Sequence, residues 1–139
     1  MATRTVTPVL IDPAAEAGDL AKLFSDLSQA IDEYRLADHI SPLSMEMLAR
    51  LKDEAQVLEN RSHHFTAQAI GATLMSVQSD LDKIKRTTEE AAKQLGKLES
   101  FAKVISIAVA ASSLATAIAA GNPGVIIGAV QDLADKLVA

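Results

Sequence analysis

Residues 104–130 read VISIAVAASSLATAIAAGNPGVIIGAV, and not one of them is charged. Val104 to Ala120 carries seven alanines in 17 residues, a composition that favours helix because alanine loses no side-chain entropy on folding. Gly121-Asn122-Pro123-Gly124 then reads as a turn, and Pro123, whose φ already suits a first helical turn, opens a second apolar segment. The stretch predicts a C-terminal helical hairpin with an uncharged tip. Such a hairpin exposes more apolar surface than two isolated helices can leave in water, so protein or lipid must cover it.

The hairpin also carries a pattern of small side chains. Ala108, Ser112, Thr116 and Ala120 form one i,i+4 ridge, with Ala111, Ala115 and Ala119 beside it, and Gly124 and Gly128 are spaced as GxxxG across the turn. Small residues at this spacing let helix backbones approach closely. Ala108, Ser112, Ala115, Thr116, Ala120, Gly124 and Gly128 are therefore the candidate packing residues.

Upstream, the sequence predicts more helix. Asp12-Pro13, Ser41-Pro42 and Asn122-Pro123 each place a capping side chain before a proline, at the head of a stretch with helical composition. In the first helix, expected over 13–38, Leu20, Leu23, Phe24, Leu27, Ile31 and Tyr34 make one apolar stripe, and Gly18 weakens its first turns. Residues 1–11, rich in Thr and Val, read as an extended or disordered arm.

From Pro42 to Ala120 there is no proline. One apolar series runs through Leu48, Leu51, Ala55, Leu58, Ser62 and Phe65. A second, displaced by one residue, runs through Ile70, Leu74, Val77, Leu81, Ile84, Thr88, Ala91, Leu95, Leu98, Ala102, Ile105 and Val109. Sustained 3–4 spacing is the mark of a bundle or coiled coil. It makes Ile70, Leu74, Val77, Leu81, Ile84, Leu95, Leu98 and Ile105 a candidate heptad face. One helix over the whole span would be roughly 120 Å long at ~1.5 Å per residue, so a break is expected near 60–64 or at Gly96, with Ser100 as a cap beyond it. The expected organisation is a single all-α domain over 1–139: an antiparallel helical bundle with long coiled-coil-like helices. Its segments are 13–38, 42–95, 97–120 and 123–138.

Composition narrows the chemistry. Apolar residues make up 49% and aromatics only 3%, which suits helices packed through Ala, Leu, Ile and Val rather than a sandwich of strands. The net charge of −5 and the absence of a basic stripe argue against nucleic acid, since Lys83, Lys85 and Arg86 are flanked by Asp80, Asp82, Glu89 and Glu90. There is no cysteine, and the common catalytic, nucleotide and calcium motifs are missing. His63 and His64 diverge on a helix, leaving Glu59–His63 without a second ligand pair, and His39 reads as a cation at a helix C-terminus. The adjacent carboxylates Asp32/Glu33, Asp53/Glu54 and Glu89/Glu90 project from different helix faces. No catalytic residue, cofactor, metal or small-molecule substrate is expected. The N-terminus has no apolar signal-peptide core, which makes the cytoplasm the default location.

The expected function is non-enzymatic: protein–protein interaction or self-association through helices, with a homo-oligomer or another protein as partner. Long amphipathic helices ending in an uncharged hairpin also resemble in outline, over residues 42–130, the α-helical pore-forming toxins. The likeness is one of pattern. What it implies is the alternative, a membrane-associated protein that inserts the 104–130 hairpin.

Overall fold

In the computed structural model the described residues are 11–39, 42–97 and 100–138, and among them there are helices and turns but no strand. Six α-helices follow in order: α1 (Pro13–Leu36), α2 (Met45–His63), α3 (Ala67–Ser76), α4 (Leu81–Leu95), α5 (Phe101–Ala120) and α6 (Pro123–Val138). A 3-10 turn, Gln78–Asp80, leads into α4.

Most helix starts have a visible local cause. Asp12 Oδ1 accepts from the Ala14 and Ala15 N–H groups at 3.0 and 3.4 Å, and Asn122 Oδ1 accepts from Val125 N–H at 3.2 Å. Thr66 and Ser100 cap α3 and α5 in the same way. Each cap satisfies an N–H that the helix itself leaves without a partner. The start expected at Pro42 falls three residues later. Met45 opens α2, and its cap is Ser44, whose hydroxyl accepts from Met47 N–H at 3.1 Å. Ser41 lies outside the described residues, as do residues 1–10 of the expected arm; Ile11 is half-buried against the core.

The segment expected over 42–95 is not one rod. It divides after His63, where His64 leaves helical geometry and Phe65 turns inward, 3% exposed, to meet Phe24 edge-on with ring centroids 5.5 Å apart. The one-residue slip between the two apolar series marks this place. A second interruption, at Val77, was not anticipated: its backbone is at φ −115°, ψ 20°, and its side chain is in the core at 1% exposure. The Ser76 hydroxyl donates to Thr73 O at 2.6 Å, the back-bonding that loosens a helix end. At the other end of α1 the helix stops at Leu36 rather than 38, and His39 folds back with Nε2 2.7 Å from Tyr34 O.

One continuous core joins the helices. Leu20, Phe24, Leu27 and Ile31 of α1 meet Leu51 and Leu58 of α2, Leu74 of α3, Ile84 and Leu95 of α4, and Ile107, Leu114 and Ile118 of α5, all fully buried. Each such side chain contributes about 1.5–3 kcal/mol of transfer free energy. Helix α5 touches every other helix, which is why it can be the most apolar of the six.

Candidate interaction groove along the apolar helix

The predicted heptad face has a different use from the one its spacing suggested. Ile70, Leu74, Val77, Leu81, Ile84, Leu95 and Ile105 are all buried in the chain's own core. Leu98 lies outside the described residues. The series lines several helices of one core and presents no continuous stripe to a partner.

The small-residue set divides in two. Ala108 and Ala115 are fully buried and Ser112 is 6% exposed, so these three pack as a tight helix face should. Thr116, Ala120, Gly124 and Gly128 are exposed. A Cβ at Gly128 would meet nothing within 4 Å, and one at Gly124 would meet only its near neighbour Asn122. The α5–α6 contact is not made through GxxxG. It is made by the opposite face of α6, where Ile126, Val130 and Leu133 recur at i,i+4,i+7 and are buried. The glycine with a structural requirement is Gly121, left-handed at φ 83°, where a Cβ would stand 3.1 Å from Thr73 Oγ1.

What the exposed half of the set does is line a groove. Val109 (43% exposed), Ser113, Thr116 and Ala120 leave one side of α5 uncovered between α2 and α6. Glu54 and Val57 of α2 form one wall and Val125 of α6, 54% exposed, stands on the other, around a volume of about 440 Å³. Ser112 lies in the floor, and its buried hydroxyl has no hydrogen-bond partner. A buried hydroxyl without a partner costs free energy, and this one is closed off beneath the groove.

The sequence holds a signal for this groove. Arg50, Glu54, Val57 and Arg61 are spaced i, i+4, i+7, i+11 and so share a face of α2, beside the stripe of Leu51, Ala55, Leu58 and Ser62 that enters the core. Arg50 reaches over the Phe101 ring at 5.9 Å, at the start of α5.

The remaining polar features are structural in geometry. A cleft of about 380 Å³ between α1 and α2 contains Ser28, Asp32, Arg35 and Glu59. Ser28 donates to Ala55 O at 2.7 Å, Asp32 pairs with Arg35 at 3.1 Å, and Glu59 accepts from Ser25 at 3.1 Å and pairs with His63 at 2.9 Å. Among the described residues no three His, Asp or Glu side chains gather as a metal-binding group. Lys85 of α4 bonds Glu16 of α1 at 2.8 Å, and that hydrogen bond, opposed by partial burial, holds its ammonium above the ordinary lysine pKa.

Among the described residues Phe101–Ala120 is the one helix long and apolar enough to cross a membrane by length and composition, with a mean hydropathy of 1.8, and 61% of that stretch is buried inside the protein. Comparison with protein-family models, with curated proteins and with solved structures found no match, so the functional reading rests on this geometry alone.

Proposed function

We propose that this is a non-enzymatic interaction protein that receives a helical surface of a protein partner, its own copies included, in the groove along α5. The observation that carries the reading is the open side of α5, with Val109, Ser113, Thr116 and Ala120 uncovered between α2 and α6. A helix laid there would meet small side chains, which permit close approach, and would bury Val109 and Val125. The rest of the chain is read as the scaffold that holds this groove. We read that scaffold as an antiparallel bundle, a reading supported for α1 and α2 by the opposite order of Ser25–Glu59 and Ser28–Ala55 along them. In it the coiled-coil-like spacing serves the core rather than an extended rod.

The second reading, insertion of the 104–130 hairpin into a membrane, is favoured by the apolar length of α5. It would require α5 to leave a core in which Ile107, Leu114 and Ile118 are fully buried, and for that reason it is placed second.

The chain has no cysteine, so Ser113→Cys gives a single attachment point for an environment-sensitive fluorophore. In the protein-interaction reading the label is shielded as protein concentration rises, without lipid, while a label at exposed Ser79 is not. Shielding only on addition of anionic phospholipid vesicles would replace this reading with the membrane one. A label that stays solvated under both conditions would remove both.

A further inference from the structure

We draw no further inference here: the strongest candidate, the uncovered groove along α5 between α2 and α6, belongs to the site already described, and nothing in the structure shows what covers it.

Discussion

Lys85 Nζ lies 2.8 Å from Glu16 Oε2, joining α4 to α1 across 69 positions of sequence, with both side chains mostly shielded from water. The hydrogen bond to Glu16 raises the Lys85 pKa from 10.5, and partial burial opposes that rise. A group whose folded pKa is raised stabilises the fold fully below its unfolded value and loses that contribution as pH climbs through the folded value. Lys85→Met should therefore cost about 1 kcal/mol at neutral pH, near the upper end for ion pairs that keep some solvent contact. In urea titrations the gap between wild type and variant should hold from neutral pH to the region of 10.5 and narrow above it. A gap that grows with pH would mean the contact is not an ion pair.

The turn between α5 and α6 gives a sharper prediction. Gly121→Ala must place a Cβ on a backbone at φ 83° and within 3.1 Å of Thr73 Oγ1. The expected loss is about 1–2 kcal/mol, combining the left-handed penalty with the contact. Gly121→Ala/Thr73→Ala should recover only the steric part, because the backbone penalty does not depend on Thr73. Gly18→Ala is the control: it lies within α1 with nothing within 4 Å of the added carbon. It should stabilise by about 0.5–1 kcal/mol, through helix propensity and a less flexible unfolded chain.

The capping site of α2 is testable in the same way. Ser44 Oγ accepts from Met47 N–H at 3.1 Å, so Ser44→Ala should cost about 1 kcal/mol in thermal or urea unfolding. A neutral substitution would return the helix start to the Ser41-Pro42 position suggested by sequence.

How far the sequence carried the fold can be seen at these positions. Helix content, the Asp12 and Asn122 caps and the inward stripe from Leu20 to Tyr34 were legible, because each depends on residues within a turn or two of one another. The interruption at Val77 was not, since the apolar spacing continues through it and α3 packs against α1 as a separate helix. The groove was half legible. The small residues on α5 and α6 stood out, but which of them face inward depends on where α2 and α6 settle. That is a property of the assembled bundle, so Gly124 and Gly128 were assigned to packing and instead lie at the surface.

That difference turns one pair of substitutions into opposites. Ala115 is fully buried, so Ala115→Leu forces three extra carbons into filled space and should cost about 1–3 kcal/mol or more. Gly128→Leu meets open space and should change the stability of the dilute protein by less than about 0.5 kcal/mol. Equal losses at both positions, measured by urea unfolding at low concentration, would mean that α6 presents its other face to α5.

Ser112 tests what a buried hydroxyl costs the fold. In the single chain its hydroxyl is buried without a partner, and removing such a group relieves a desolvation cost of about 1–3 kcal/mol, partly offset by the small void left behind. Ser112→Ala should therefore leave the dilute protein as stable as wild type or somewhat more stable. Urea unfolding of wild type and variant side by side measures the difference. A variant less stable than wild type even when dilute would show that the hydroxyl already has a partner within its own chain.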